Sequence, residues 1–153
     1  MATLSGTQQK ITPFLWYDNN AEEAATFYCS LFKNSKIIHS SPMIVTFELE
    51  GMRFMAINGG PHFKLTEAFS LMVSCENQDE VDEFWNQLTA NGEESKCGWL
   101  KDQFGLSWQI VPKVLFELMG NPDREKSQRV MNAILQMKKL DIATLQRAFD
   151  GVE

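Results

Sequence analysis

The chain has 153 residues, of which 44% are hydrophobic, 11% aromatic and 22% charged. That length and composition fit one ordinary globular domain, able to bury roughly two thirds of its unfolded surface, and exclude a disordered chain. Fourteen basic against twenty acidic residues give a net charge of −6, which argues against nucleic acid and anionic membrane surfaces as partners, because both are bound through basic patches.

The first ten residues, "MATLSGTQQK", contain no apolar run of the signal-peptide kind, and no stretch of eighteen apolar residues occurs in the sequence. The expectation is a soluble, cytoplasmic protein. Cys29, Cys75 and Cys97 are odd in number and form no C-x-x-C pair, which fits a reducing compartment better than a disulfide framework or a thiolate zinc site.

From residue 11 the chain reads as a repeat. Segment 11–32, "ITPFLWYDNNAEEAATFYCSLF", aligns without a gap on segment 68–89, "AFSLMVSCENQDEVDEFWNQLT", pairing Phe27 with Phe84, Tyr28 with Trp85 and Leu31 with Leu88. Each copy opens with a β-branched and aromatic run, predicting a strand. A helix follows, with apolar residues at Ala24, Phe27, Tyr28 and Leu31 in one copy and at Val81, Phe84, Trp85 and Leu88 in the other. Asn20 and Asn77 precede these helices with Glu23 and Glu80 three residues on, which predicts a capping box at both starts.

Three strands are predicted after each helix: about 36–41, 43–50 and 52–58 in the first copy, with Glu50 and Gly51 as the turn, and about 93–98, 99–102 and 106–111 in the second, with 102–105 as the turn. "GMRFMAIN" at 51–58 aligns on "GLSWQIVP" at 105–112. One domain over 1–153 is therefore expected, built of module 11–58, linker 59–67, module 68–112 and a helical tail 113–153. In the tail, 113–119 reads as a short helix. Asn121, Pro122 and Asp123 mark the start of a second, with Val130, Met131, Ile134, Leu135 and Met137 as its apolar face. Asp141 caps a third, whose Ile142, Leu145 and Phe149 face inward.

Two βαβββ modules resemble the vicinal oxygen chelate superfamily, which includes glyoxalase I, bleomycin-resistance proteins, fosfomycin-resistance enzymes and extradiol dioxygenases. "ITPFLWYDNNAEEAATFY", "NGGPHF", "DEVDEFWNQL", "CGWLKDQFGLSWQIVP" and "NPDREKSQRVMNAILQMKKLDIATL" are similar to its PhnB-like branch, whose members are often called 3-demethylubiquinone-9 3-methyltransferase. The resemblance covers about residues 10–150. It implies an α+β fold in which the modules form a cupped sheet, with a ligand on the concave side and helices on the convex side.

Metal enzymes of the superfamily take one ligand from the first strand and one from the last strand of each module. Carried over, those positions read Pro13, Met55, Ser70 and Gln109. None is a histidine or carboxylate, so the resemblance implies no metal centre and no other cofactor. His39 and His62 fall at no ligand position. If Pro13, Ser70, Met55 and Gln109 face the cup, period-two alternation adds Leu15, Tyr17, Met72, Ser74, Arg53, Ile57, Ser107 and Val111. It sends Phe14, Trp16, Val73, Phe54, Trp108 and Ile110 to the helices.

The expected ligand-binding set is Tyr17, Arg53, Met55, Met72, Ser74 and Gln109: an apolar surface with Arg53 for an anionic group and Gln109, Tyr17 and Ser74 to orient polar atoms. Cys97 is the best-placed thiol, but no histidine is positioned to activate it. The function these residues favour is metal-independent binding of a small molecule, and the resemblance implies a homodimer. The alternative is an enzyme, a methyltransferase as the family name implies or another small-molecule transferase or lyase, with no catalytic residue assigned. The only adjacent glycine pair is at 59–60, and no phosphate-cradling glycine motif is present.

Overall fold

The opening run of the first repeat becomes β1, Phe14–Tyr17, followed by α1 (Ala21–Leu31), β2 (Lys36–Ser40), β3 (Ile44–Leu49) and β4 (Met52–Asn58). They form a sheet of order β1-β4-β3-β2 in which β1 and β4 run parallel and the other pairs antiparallel. The computed structural model describes residues 9–152, and the chain divides into two units between Leu65 and Thr66. In the first, the β3–β4 hairpin turns at Glu50 and Gly51 with φ of 51° and 82°, the paired positive values that match strand twist in a two-residue turn.

α1 covers one face of this sheet because its inner stripe is small. Ala21, Ala24 and Ala25 are buried with Tyr28 against Leu15, Val45, Phe47, Phe54 and Ala56. Phe47 and Phe54 stack with ring centres 5.5 Å apart. The expected cap at Asn20 does not form: its side chain makes no capping hydrogen bond. Instead the Ala21 N–H donates to Oδ1 of Asn58, at 2.8 Å, from the end of β4. An orphan donor at a helix start needs an acceptor, and here a distant strand supplies it.

The second unit repeats the plan. β5 (Ser70–Cys75), α2 (Gln78–Thr89), β6 (Glu93–Glu94), β7 (Trp99–Lys101) and β8 (Ser107–Pro112) form a sheet of order β5-β8-β7-β6, again with its first pair parallel. Here the asparagine half of the capping box forms: Oδ1 of Asn77 accepts from the Glu80 N–H at 2.9 Å, while Oε1 of Glu80 reaches one residue past the cap and accepts from the Glu76 N–H at 2.9 Å. The core contains Val81, Trp85, Leu88, Leu100, Leu106, Trp108 and Ile110.

The 102–105 turn is organised by one carboxylate. Asp102 is only 3% exposed; its Oδ1 accepts the N–H groups of Phe104 and Leu106, at 2.8 and 3.0 Å, and its Oδ2 accepts the Trp108 indole N–H at 2.8 Å. The strand expected at 93–98 shrinks to two residues because the chain leaves the sheet. Cys97 and Gly98 have φ of 61° and 86° and donate their N–H groups to the carbonyls of Met137 and Lys138, each at 2.8 Å.

That seam holds the tail, whose helices are α3 (Lys113–Met119), α4 (Arg124–Ile134) and α5 (Ile142–Asp150). Leu118, Val130, Ile134, Leu140 and Leu145 form its core. α4 starts later than expected: Asp123 caps it, accepting from the N–H groups of Glu125 and Lys126, while Asn121 accepts from the Asp123 N–H before the helix. Met131 and Leu135, expected inward, are 37% and 55% exposed. Gln78 ties the tail to α2, donating to the Leu140 carbonyl at 3.1 Å and accepting from the Ile142 N–H at 2.7 Å.

Two outcomes follow from these contacts. Asp102→Ala strands three donors in or near a dry interior and should lower unfolding free energy by about 3 kcal/mol in urea titration; a change below about 1 kcal/mol would contradict this role. Asp82 accepts from Lys139 at 2.8 Å and from Gln78 at 2.9 Å, and first the lysine, then the glutamine, hold its carboxyl below the ordinary 3.8. A depressed folded-state value contributes stability that is present above 3.8 and is lost as pH falls through the lower value. Carbon-detected titration should therefore place the Asp82 midpoint below 3.8 and return it upward in Lys139→Met.

Candidate functional site

Each sheet has one face covered by its helix, so the other face carries the candidate site. In the first unit the register pairs Phe14 with Met55, Leu15 with Ala56 and Trp16 with Ile57. Directly paired residues share a face. Phe14 and Trp16 therefore stand with Arg53, Met55 and Ile57 on the open face, joined by Thr46 and Glu48 from β3. Phe14 is 52% exposed.

This corrects the expectation for β1. Leu15 and Tyr17 face α1; Tyr17 is buried and its hydroxyl lies 2.9 Å from that of Tyr28 on the helix. Tyr17 is thus separated from the face that carries Arg53 and Met55. The cause is a difference in connection length. Three residues, Asp18 to Asn20, separate β1 from α1, whereas two, Glu76 and Asn77, separate β5 from α2. An ungapped alignment that matches the helices is one residue out of step in the strands, and one residue exchanges the faces.

Arg53 is half-buried, and its backbone is gripped by the Gln9 side chain, which donates to the Arg53 carbonyl at 2.9 Å and accepts from its N–H at 3.0 Å. The Arg53 Nε is buried without a hydrogen-bond partner among the described residues, and Glu48 is its cross-strand neighbour. The linker packs on the same face through Trp16. The indole N–H donates to the Gly60 carbonyl at 2.9 Å, and the ring meets Phe63 edge-on at 5.0 Å. A Cβ at Gly59 would come within 2.2 Å of that ring, so the close approach requires glycine.

In the second unit the faces fall as expected. Ser70 pairs with Ser107, Met72 with Gln109 and Ser74 with Val111, while Val73, Trp108 and Ile110 lie on the helix side. Met72 is 49% exposed and Ser74 is exposed. Gln109 donates through Nε2 to Ser70 Oγ at 2.9 Å, which engages the amide nitrogen; the amide oxygen is an acceptor. Trp99 and Lys101, partners of Gln109 and Ser107, extend this face. Carrying the period-two rule on to β7 would have found them.

Lys101 is paired with Glu67 at 2.8 Å. Its hydrogen bond to Glu67 raises the ammonium pKa, and the same bond lowers that of the carboxyl.

The donor set fits no metal ion. Among the described residues no group of three or more His, Cys, Asp or Glu side chains could hold one. The register shift leaves the ligand positions equally poor, since Phe14 rather than Pro13 stands opposite Met55. His39 lies on the edge strand β2 and His62 in the linker, both exposed. Among the described residues no helix is long and apolar enough to cross a membrane.

Residues 9–111 match the model of the 3-demethylubiquinone-9 3-methyltransferase family. Among solved structures, the PhnB protein of Bacillus cereus is 34% identical, with a TM-score of 0.63 over 68% of this chain and 99% of that one. A Pseudomonas aeruginosa protein is 17% identical, with a TM-score of 0.57 over 69% and 98% of the two chains. The fosfomycin resistance protein FosX of Listeria monocytogenes, complexed with Mn(II) and sulfate, is 15% identical, with a TM-score of 0.54 over 73% and 95%. The last two likenesses are of fold. No match was found among curated proteins.

The cysteines offer a check on this site. Cys75 is fully buried, and burial first, then the nearby Glu80 and Glu76 carboxylates, push its thiol up to about 12. The thiolate is the reacting species. At pH 8 Cys75 should resist an aromatic disulfide reagent until the protein is unfolded, as read by mass spectrometry of labelled peptides; rapid native labelling at Cys75 would show that the packing is wrong.

Proposed function

Because the chain belongs to the PhnB-like 3-demethylubiquinone-9 3-methyltransferase family, within the vicinal oxygen chelate superfamily, we propose that it binds a small molecule on the open faces of its sheets without a resident metal ion. The observation that carries this reading is the identity of the last-strand positions. Met55 and Gln109 stand where metal enzymes of the superfamily place a ligand, and their strand partners are Phe14 and Met72. A thioether, an amide and an aromatic ring do not make a site for a hard or borderline divalent ion.

Taken one sheet at a time, these positions supply apolar contact beside a polar group, Phe14 with Arg53 on the first and Met72 with Gln109 on the second, the usual ingredients of a small-molecule surface. Phe14 and Met72 offer exposed apolar area. Arg53 supplies a guanidinium whose Nε has no hydrogen-bond partner among the described residues, and Gln109 supplies an acceptor. A planar anion suits Arg53, because a guanidinium binds carboxylate or sulfonate through parallel hydrogen bonds.

Calorimetry with a panel of aromatic carboxylates and sulfonates tests this. At least one compound should bind, unchanged by EDTA, and Arg53→Ala should weaken it roughly tenfold, the loss of about 1.5 kcal/mol of charge-assisted hydrogen bonding. No binding across the panel, or binding that EDTA abolishes, contradicts the proposal. Methylated product formed from S-adenosylmethionine and a phenol would replace it with the enzymatic reading that the family name carries.

A further inference from the structure

A cleft at the far edge of the second sheet joins Trp99, Lys101 and Ser107 of the open face to Glu67, Glu93 and Glu94. Glu93, Lys101 and Ser107 are successive cross-strand partners on β6, β7 and β8, and Trp99 lies two residues from Lys101 on the same face. With Glu67 and Glu94 they line an opening of about 360 Å³, a volume that includes open solvent.

The floor of the cleft is Ser107. It is 1% exposed, and its Oγ is buried without a hydrogen-bond partner among the described residues. Burying a hydroxyl unpaired is unfavourable, so a polar atom in that position points to something that completes it. Three carboxylates and one ammonium give the lining a net charge of −2. Lys101 is already paired with Glu67 at 2.8 Å, and Glu94 already accepts the Trp85 indole N–H at 2.8 Å. Glu93 makes no ion pair within 4 Å among the described residues; its charge acts on Lys101, its cross-strand partner, and it lines the cleft together with Trp99.

We propose that this cleft binds a primary ammonium group. Ser107 Oγ accepts one of its N–H bonds, Glu93 supplies the counter-charge, and the Trp99 ring attracts the cation and packs against its stem. An anion meets the reverse, since the only cation in the lining is neutralised by Glu67. For a metal ion the described residues supply no group of three or more His, Cys, Asp or Glu side chains that could hold it. This inference rests on the reading of the open faces as ligand-bearing, and it adds the chemical class of one ligand group.

The test is calorimetry at low ionic strength with benzylammonium, benzyltrimethylammonium and benzoate. Benzylammonium should bind, and the quaternary analogue, with no N–H for Ser107, should bind at least fivefold more weakly. Benzoate should give no heat. Glu93→Gln, at an exposed edge where folding is not at stake, should weaken benzylammonium at least fivefold, and Ser107→Ala should weaken it by a similar factor. Absence of benzylammonium binding, equal affinity in Glu93→Gln, or tighter binding of benzoate overturns the proposal. If the aromatic sulfonates of the preceding experiment still bind, only the ammonium assignment falls; if neither class binds, both readings fall together.

Discussion

Burial of one face of each sheet under a helix is the interaction on which the other features depend. In the first unit a stripe of three alanines and Tyr28 lets α1 lie close to Leu15, Val45, Phe47 and Ala56; in the second, α2 covers Trp108 and Ile110 with Val81, Trp85 and Leu88. Side chains alternate along a strand, so once one face is committed to the core the composition of the other is determined. What remains on the open faces is Arg53, Met55, Phe14 and Trp16 on one sheet, and Met72, Ser74, Gln109, Trp99 and Lys101 on the other.

Most of this was readable from periodicity, because both modules carry their apolar residues at helical or strand spacing. The second module's faces could be assigned outright. The first module's β1 could not, since the extra residue in the Asp18–Asn20 connection leaves no trace in a gapless alignment whose helices match. Tyr17 looked like a polar group for a ligand and is a core tyrosine paired with Tyr28. Its hydroxyl made the misreading easy: a buried tyrosine keeps a polar tip only if a partner is nearby, and that partner lies eleven residues away on the helix.

Other departures share one physical origin, in that the deciding partner is remote in sequence. Asn58 does the work expected of Asn20 at the start of α1. The backbone of 137–138 draws Cys97 and Gly98 out of the strand that local propensity predicts. Asp102 reads as an ordinary turn residue, yet it is buried because Trp108 needs an acceptor for its indole N–H. Propensity and spacing report on neighbours within a few residues; long-range hydrogen bonds override them wherever a buried group would otherwise go unpaired. Conversely, the register correction brings no histidine or carboxylate opposite Met55, since it exchanges Pro13 for Phe14.

The Cys97–Gly98 dipeptide has a bearing on how the protein is made. Its two N–H groups bond to Met137 and Lys138, and the Gly98 carbonyl accepts from Ile110 in the central strand β8. A growing chain that has not yet reached residue 138 leaves those two donors beside β7 with no partner, and leaves Leu140 absent from above Gly98, where its side chain would be within about 3.1 Å of a Cβ. The first unit has no such dependence, since every strand of its sheet and its covering helix are complete by Asn58. The backbone bonds of the two sheets are therefore completed at different points of synthesis, those of the first with Asn58 and those beside β7 only with residue 138. During that interval the exposed edge beside β7 is where a translating chain is open to chaperones or to pairing with the wrong strand.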